Sequence, residues 1–268
     1  MEIVFLETGY GLDPNGFIVS DVSKDKIDKI YVPCIQETIE RLREKFVQLH
    51  SVYVYGSVVR GDAVIPKSDL DILALFDGKL SSEELVEIKR LAGELSQKYH
   101  SLVRDVGIAV TFYDYTMDST NYYENAFLRE LCVCIYGEDL RNRFGPYKLT
   151  PDIAIRFNGD ISESLTRTLK RLESASDDEF KKITQGFSRK LIRTYYSMVM
   201  VRSQIWTTKL QEQSEIFLRY FPQKKFTNLL LLKWIDEPLI NREAVYELFK
   251  QEGEWASVHF INEANTVA

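Results

Sequence analysis

The sequence has few of the residues that build metal-thiolate sites, disulfide frameworks or membrane spans. Its 3 cysteines and 3 histidines are scattered. Cys132 and Cys134 lie in an apolar run, where a strand places both thiols on one face without the turn that a zinc knuckle requires. Apolar runs such as 72–76 are far shorter than the ~18 residues of a transmembrane helix, and the first residues lack a basic start with a signal-type apolar run. We therefore expect a cytoplasmic protein with core cysteines and no membrane partner.

The sequence also lacks the positive charge that suits long nucleic acids. The net charge is −6 over 268 residues. Residues 1–150 carry 17 basic against 24 acidic side chains, and residues 151–268 carry 17 against 16. Because neutralisation of phosphates supplies most of the affinity for a nucleic-acid chain, we do not expect such a partner. The length allows one large domain or two modest ones. Composition and pattern leave the oligomeric state open.

Two kinds of periodicity divide the chain. Strand and helix patterns alternate up to about residue 140, and from Pro151 onward almost every pattern is helical. The predicted strands are 51–55, about seven residues within 68–76, 105–113 and 131–136, and the predicted helices include 81–99, 121–130, 161–173, 179–206, 211–220, 226–234 and 242–251, with a helix turn over 57–61. The fold class is accordingly α/β (α+β) followed by an all-helical domain. We place the domains at 1–145 and 146–268, with a linker in the region 142–152.

The candidate site lies in the segment Tyr53–Leu75. A hydrophobic strand runs into Gly56 and Ser57, and a second strand carries Asp69 and Asp71. Strand side chains alternate, so the two carboxylates project from one face, and Mg²⁺ suits two repelling carboxylates of this kind. Gly56 permits close approach of a ligand, and Ser57 stands at a helix start with backbone N–H groups available for phosphate. A Gly-Ser pair alone is commonly a turn, and an Asp-x-Asp pair alone is commonly a solvated strand edge. The ordered combination of the two favours a phosphate site beside a metal site.

At these residues the sequence resembles the nucleotidyltransferase superfamily, which includes DNA polymerase beta, kanamycin nucleotidyltransferase and the aminoglycoside adenylyltransferases. The matching positions are Gly56, Ser57, Arg60, Gly61, Ser68, Asp69 and Asp71. The resemblance implies a mixed sheet with flanking helices and ATP or another nucleoside triphosphate as donor. It implies contact of Gly56, Ser57 and Ser68 with that donor. It further implies two Mg²⁺ ions held by Asp69, Asp71 and a third carboxylate from a neighbouring strand.

Two alignments leave the third carboxylate open. Asp105, Gly107 and Ala109 share one face of the predicted strand 105–113, and Asp105 is the only acid on it. Its setting resembles the third-acid strand of polymerase beta, so we assign Asp105 the third catalytic and metal-binding role. The alternative alignment, to the adenylyltransferases, puts Gly107 where their Glu stands. That alignment leaves the acid missing or displaced.

The second half offers a weaker resemblance. Residues 187–209 look like the helix-rich C-terminal domain of streptomycin and spectinomycin adenylyltransferases, where a helical Arg and a later Lys reach the triphosphate. This resemblance assigns those roles to Arg193 and Lys209. The alternative is that Arg193 belongs to the solvated face of an amphipathic helix.

These observations lead to one main hypothesis and two rivals. The main hypothesis is a Mg²⁺-dependent nucleotidyltransferase that moves AMP from ATP to a hydroxyl of a small-molecule acceptor, with an aminoglycoside-type antibiotic as a candidate. The first rival is a regulatory or toxin–antitoxin module that nucleotidylates a protein. The second is a catalytically silent member that binds a nucleotide. No shared motif identifies the acceptor.

Overall fold

The computed structural model describes residues 5–267, which form two compact units. One unit comprises residues 20–146, and the other comprises residues 5–19 together with residues 147–267. The two units divide near residue 146. Residues 5–19 group with the helical unit, and the domain bounds 1–145 and 146–268 stay a prediction.

Backbone hydrogen bonds explain where residues 5–19 belong. The Gly9 N–H donates to the Gln204 carbonyl at 2.8 Å, and the Trp206 N–H donates to the Tyr10 carbonyl at 2.9 Å. Each pair joins positions that are far apart in the sequence. No local pattern in the sequence reports a pairing of this kind.

The unit of residues 20–146 is built around a sheet of four strands with flanking helices. Its helices are α1 (Val32–Lys45), α2 (Ser57–Arg60), α3 (Ser82–Lys98), α4 (Tyr113–Met117) and α5 (Ala126–Leu131), and its strands are β1 (Leu49–Tyr55), β2 (Leu70–Phe76), β3 (Val106–Phe112) and β4 (Cys132–Gly137). The strand order is β3-β2-β1-β4. β1 is antiparallel to β2 and β4, whereas β2 and β3 are parallel and connected through α3. The predicted mixed sheet with helices is confirmed.

Local sequence signals fix the ends of these helices. Ser81 and Glu84 form a capping box at the start of α3, in which each side chain accepts a hydrogen bond from the other residue's backbone N–H, at 3.2 and 2.7 Å. Such a box satisfies two N–H groups that lack partners within the helix. Pro33 lies in the first turn of α1, where its missing N–H costs no hydrogen bond.

The hydrophobic core of this unit lies on one face of the sheet. Leu70 and Ile72 of β2 are fully buried in it, together with Leu42 of α1 and Leu91 of α3. Because strand side chains alternate, Asp71 lies on the opposite face from Leu70 and Ile72. The burial of the apolar set therefore determines which face carries the carboxylates.

The second unit is helical apart from loops and isolated bridges. Its helices are α6 (Pro151–Asn158), α7 (Ile161–Ser174), α8 (Asp177–Ser203), α9 (Leu210–Tyr220), α10 (Lys225–Asp236) and α11 (Arg242–Ala264). α8 is 27 residues long and contacts each of the other five helices. It is consequently the central helix of the unit. Across residues 5–267, no helix combines the length and apolarity needed to cross a membrane.

The last helix is longer than its sequence pattern predicts. The pattern ends near residue 251, shortly before Gly253, but α11 continues to Ala264. Gly253 is buried against α7, where a Cβ atom would lie 2.6 Å from Leu165 Cδ1. A residue that resembles a helix terminator is therefore present for close packing between two helices.

Candidate active site

The sheet brings the sequence-predicted residues to one edge. β1 ends at Tyr55, and because β2 is antiparallel to it, Tyr55 pairs with Asp71 near the beginning of β2. β3 is parallel to β2, and Asp71 pairs with Gly107 near the beginning of β3. The turn after β1 and the residues that open β2 and β3 therefore share this edge. Segments that are far apart in sequence meet there because of strand direction alone.

Gly56 and Asp71 are in close contact at this edge. Gly56 has φ +80° and ψ −153°, a conformation essentially restricted to glycine. A Cβ atom at this position would lie 2.7 Å from Asp71 Oδ2. The turn thus needs glycine both for its backbone conformation and for the approach of a carboxylate.

Ser57 and Ser68 lie on either side of the turn with different hydrogen bonding. Ser57 is the first residue of α2, is half-buried, and its hydroxyl makes no hydrogen bond to any residue in the range 5–267. The Ser68 hydroxyl accepts a hydrogen bond from the Val64 N–H at 2.9 Å, which closes the loop before β2. Ser68 therefore supports the loop directly, and its contact with a nucleotide stays a prediction.

Asp69 forms an ion pair that the sequence did not suggest. Arg104 Nε donates to Asp69 Oδ1 at 2.9 Å, and Arg104 Nη2 donates to Asp69 Oδ2. Both side chains are about a quarter exposed, at 27% and 29%. Arg104 precedes β3 as Asp69 precedes β2, so the parallel pairing of these strands brings them together. In the sequence, the dipeptide Arg104-Asp105 stands before β3 and the dipeptide Ser68-Asp69 stands before β2. These matching positions are the signal from which the ion pair could have been found.

Asp105 and Gly107 occupy different positions along this edge. The Leu70 N–H donates to the Asp105 carbonyl at 2.9 Å, so Asp105 lies beside the residues that open β2. Gly107 is the direct neighbour of Asp71, and a Cβ atom on it would lie 3.5 Å from Asp71 Oδ1. The β3 residue next to Asp71 is therefore a glycine without a side chain. The predicted third acid, Asp105, lies two residues earlier, just before β3 begins.

The residues fit a divalent cation in part. Asp69 and Asp71 supply the carboxylate oxygens that Mg²⁺ prefers. However, within residues 5–267 no group of three or more His, Cys, Asp or Glu side chains is placed to hold a metal ion. Asp105 therefore does not complete a three-acid cluster with Asp69 and Asp71 in this structure, where Asp69 is turned to Arg104. The assignment of Asp105 stays a prediction.

The two basic residues assigned by resemblance belong to the helical unit. Arg193 lies exposed in the middle of α8, and Lys209 is the residue before α9. Lys209 Nζ lies 3.1 Å from Glu212 Oε1. Their contact with a triphosphate stays a prediction.

Glu130, at the end of α5, is a buried titratable group that the sequence did not indicate as special. Its side chain is 4% exposed, and Oε1 lies 3.3 Å from Arg129 Nε. Burial raises the pKa of this carboxyl from 4.5 to about 7, against the opposing influence of the Arg129 guanidinium. Glu130 is two residues before Cys132, which pairs with Tyr55 at the end of β1.

We expect this carboxyl to make stability pH-dependent. The folded pKa is raised, so the stability that Glu130 contributes is full below the unfolded value of 4.5 and is lost as the pH rises to about 7. Glu130→Gln should therefore stabilise the protein at pH 8, by an amount up to about 3 kcal/mol, and have little effect at pH 4.5. Urea unfolding at both pH values measures the change in the free energy of unfolding. Glu44→Gln, at an exposed glutamate of α1, is the control. An equal effect of Glu130→Gln at both pH values would contradict the buried-acid account.

The segment that contains this edge matches a known family. Residues 35–120 match the family model described as "Nucleotidyltransferase domain". That range begins within α1, ends just after α4 and includes Gly56, Ser57, Asp69, Asp71 and Asp105. The chain therefore contains a nucleotidyltransferase domain, which confirms the resemblance seen in the sequence.

The fold is similar to that of a solved adenyltransferase. The spectinomycin adenyltransferase AAD(9) from Enterococcus faecialis, solved with ATP and spectinomycin, matches with a TM-score of 0.52 and 13% identity. The match covers 83% of this chain and 98% of that one. At this identity the likeness shows the fold alone. Among curated proteins, no sequence gives a significant match.

Proposed function

We propose that the protein transfers AMP from ATP to a hydroxyl group of a small-molecule acceptor, with Mg²⁺ as cofactor. The observation that carries the proposal is the shared sheet edge in a nucleotidyltransferase domain, where Asp71 contacts Gly56, Ser57 starts α2, and Asp69 opens β2. This edge combines phosphate-binding and carboxylate groups. Such a combination suits phosphoryl chemistry.

The residues have separate roles in this proposal. The Ser57 hydroxyl and the backbone N–H groups of the turn hold the terminal phosphates of ATP. Asp69 and Asp71 would hold Mg²⁺, which would neutralise charge on the triphosphate and the leaving pyrophosphate. Arg104 competes with the cation for the Asp69 carboxylate, because both are positive partners of the same oxygens. Asp105 accepts the proton of the acceptor hydroxyl.

The bond changes are those of an in-line displacement. The acceptor oxygen forms a bond to the α-phosphorus, and the bond from that phosphorus to the bridging oxygen of pyrophosphate breaks. The acceptor proton passes to the Asp105 carboxylate and then to solvent. Pyrophosphate leaves with the electron pair of the broken bond. Asp105 is therefore recovered unchanged.

The acceptor class is supported by the architecture and by charge. The similar adenyltransferase was solved with spectinomycin, so we take an aminoglycoside-type antibiotic as the first acceptor to test. The acidic balance of residues 1–150, 24 acidic against 17 basic side chains, favours a cationic acceptor. Antibiotic modification is accordingly the proposed biological role.

A labelling experiment tests the proposal. The protein is incubated with Mg²⁺ and ATP labelled at the α- or the γ-phosphate, with an aminoglycoside and lincosamide panel in one set and a cell extract in another. Transfer of α-label to a small molecule is expected, with γ-label released in pyrophosphate. Label on a protein in the extract would instead support the protein-nucleotidylating alternative. Transfer of the γ-label would contradict nucleotidyl transfer.

A second candidate function is favoured by one observation. Gly107 stands next to Asp71 where the adenylyltransferase alignment expects an acid, and no three-acid cluster is present among residues 5–267. This favours a member that binds a nucleotide without transferring it. ATP binding without label transfer in any arm of the experiment is the result that this candidate predicts.

Ser57 provides a graded test of phosphate binding. Its hydroxyl contributes one hydrogen bond to a charged phosphate, so Ser57→Ala should weaken ATP use roughly 5- to 150-fold. Ser57→Thr retains the hydroxyl and should keep most of the affinity. The KM for ATP, or its Kd by titration, measures both variants. An unchanged KM or Kd for ATP in Ser57→Ala would show that the Ser57 hydroxyl does not bind phosphate and that Ser57 has only a structural role.

A further inference from the structure

Arg104 is held beside Asp69 by the backbone as well as by its side chain. The Arg104 N–H donates to the Ser68 carbonyl at 3.0 Å, and the Leu70 N–H donates to the Asp105 carbonyl at 2.9 Å. Because Ser68 and Leu70 are the chain neighbours of Asp69, these two hydrogen bonds flank the ion pair. The pairing of β2 with β3 therefore continues past the start of both strands and fixes Arg104 next to Asp69.

The chain on either side of Arg104 is anchored in the core of the unit. Val103 is fully buried, and Val106 is 4% exposed. The Val106 N–H also donates to Ser96 Oγ of α3 at 2.8 Å. Only rotation about the side-chain bonds of Arg104 can therefore break its contact with Asp69. The ion pair is part of the fold and differs in this respect from a pair of long side chains that meet on the surface.

The Arg104 guanidinium contacts both oxygens of the Asp69 carboxylate, with Nε donating to Oδ1 at 2.9 Å and Nη2 donating to Oδ2. Two parallel hydrogen bonds of this kind make a strong pair. Mg²⁺ binds carboxylate oxygens at about 2.0–2.1 Å, so a cation on Asp69 would lie close to the guanidinium. Two positive groups at such a separation repel each other. Full binding of a divalent cation to Asp69 therefore requires Arg104 to turn away.

We propose that Arg104 keeps divalent cations off Asp69 in the nucleotide-free protein, so that the metal enters the site together with the nucleotide. This inference rests on the proposed function, which makes Asp69 a metal ligand and the sheet edge a nucleotide site. The negative triphosphate attracts the guanidinium, which pairs with phosphate oxygens as well as with carboxylate oxygens. The cation that accompanies the triphosphate then takes the place of the guanidinium. Arg104 is thus a positioning residue that acts through Asp69.

Binding of Mn²⁺ to the nucleotide-free protein tests the proposal without any reaction. Mn²⁺ takes the same oxygen ligands as Mg²⁺, and the electron paramagnetic resonance signal of free Mn²⁺ falls as the ion binds. Arg104→Gln should bind Mn²⁺ at least about tenfold more tightly than wild type, because a positive charge beside the ligand is removed. Arg41→Gln is the matched control. Arg41 is ion-paired with Glu94 on the same unit and is 25% exposed, against 29% for Arg104, so this variant should leave the Kd for Mn²⁺ unchanged.

The Asp69→Asn background shows whether Arg104 acts through Asp69. The amide is no longer an anionic ligand, so removal of the guanidinium should bring no gain there. Arg104→Gln should consequently leave the Kd for Mn²⁺ unchanged in this background. The difference between the effects of Arg104→Gln in the two backgrounds measures the coupling of the two side chains.

Thermal unfolding tests the order of binding. A ligand that binds only the folded protein raises its Tm. At one fixed Mn²⁺ concentration, the Tm of wild type should rise when ATP is also present and stay unchanged with Mn²⁺ alone. The Tm of Arg104→Gln should rise with Mn²⁺ alone. Circular dichroism verifies that the variants are folded.

Several results would overturn this proposal. Wild type and Arg104→Gln with equal Kd values for Mn²⁺, or with no measurable binding by either, would leave the ion pair only a structural role. Equal tightening by Arg41→Gln, or tightening that persists in Asp69→Asn, would assign the effect to general electrostatics. An equal rise in Tm of wild type and Arg104→Gln with Mn²⁺ alone would contradict the order of binding.

The outcome for the proposed function is read separately. Label transfer by wild type together with an unchanged Kd for Mn²⁺ in Arg104→Gln would retain the proposed function and remove this inference. Tighter Mn²⁺ binding by Arg104→Gln, without label transfer by wild type, would retain the role of Arg104 at Asp69 and remove the proposed transfer.

Discussion

Asp71→Asn is expected to abolish nucleotidyl transfer, with a loss of at least about 10³-fold in kcat/KM. Asp69→Asn should have an effect of the same order. Each change removes a negative charge with almost no change in side-chain size, and a bound metal contributes several kcal/mol to the stabilisation of transferring phosphates. Neither carboxylate lies in the hydrophobic core, so both variants should fold. Label transfer from α-labelled ATP measures activity, and circular dichroism with thermal unfolding verifies the fold.

The matched control for this pair lies on the same strand. Asp77 follows the other end of β2 and is exposed. Asp77→Asn removes the same charge from the same element and should leave transfer unchanged. Near-normal activity in a folded Asp71→Asn variant would remove the basis of the mechanism. Equal losses in Asp71→Asn and Asp77→Asn would assign the effect to net charge.

Asp105→Asn is the second large effect that we expect. If Asp105 accepts the proton of the acceptor hydroxyl, the variant should lose about 10²–10⁴-fold in kcat, since general-base catalysis typically contributes that much. ATP binding should change little, because the proposed role does not involve the terminal phosphates. The two readouts are single-turnover transfer and the Kd for ATP. Asp114→Asn, at an acid just beyond the other end of β3, is the control.

Gly107 decides between the two alignments of this strand. Gly107→Glu in the Asp105→Asn background places an acid directly beside Asp71, and the 3.5 Å approach of a Cβ atom to Asp71 Oδ1 is an ordinary contact. If Asp105 is the native base, Asp105→Asn alone retains only the activity left after a loss of about 10²–10⁴-fold in kcat. Full activity of Asp105→Asn would contradict its role. Gly107→Glu is also made in the wild-type background. If the wild type transfers no nucleotide and this single variant does, the result would support the silent-member alternative.

Much of the α/β unit could be predicted because its signals are local. Alternating apolar residues gave the strands, and the Ser81–Glu84 capping box marked the start of α3. The glycine turn followed by two aspartates at spacing two indicated the candidate site, because strand alternation predicts that Asp69 and Asp71 project from one face. The family match to residues 35–120 confirms the class that this pattern suggested.

The features that sequence did not reveal depend on contacts between distant segments. The ion pair of Arg104 with Asp69 requires the parallel pairing of β2 and β3, which no periodicity specifies. The raised pKa of Glu130 depends on its burial in the folded unit. Residues 5–19 pair with the chain near residue 205, and α11 passes through Gly253 because Leu165 packs against it. The ion pair of Arg171 on α7 with Glu179 on α8 likewise forms only when these helices pack together.

The most direct test of the central claim is the release of pyrophosphate coupled to acceptor labelling. Purified wild-type protein and a folded variant with both Asp69→Asn and Asp71→Asn are compared with ATP, Mg²⁺ and the aminoglycoside panel. Wild type should release one pyrophosphate for each AMP that appears on an acceptor hydroxyl, and the double variant should do neither. Equal label transfer by the double variant, or label on the acceptor without release of pyrophosphate, would contradict the account.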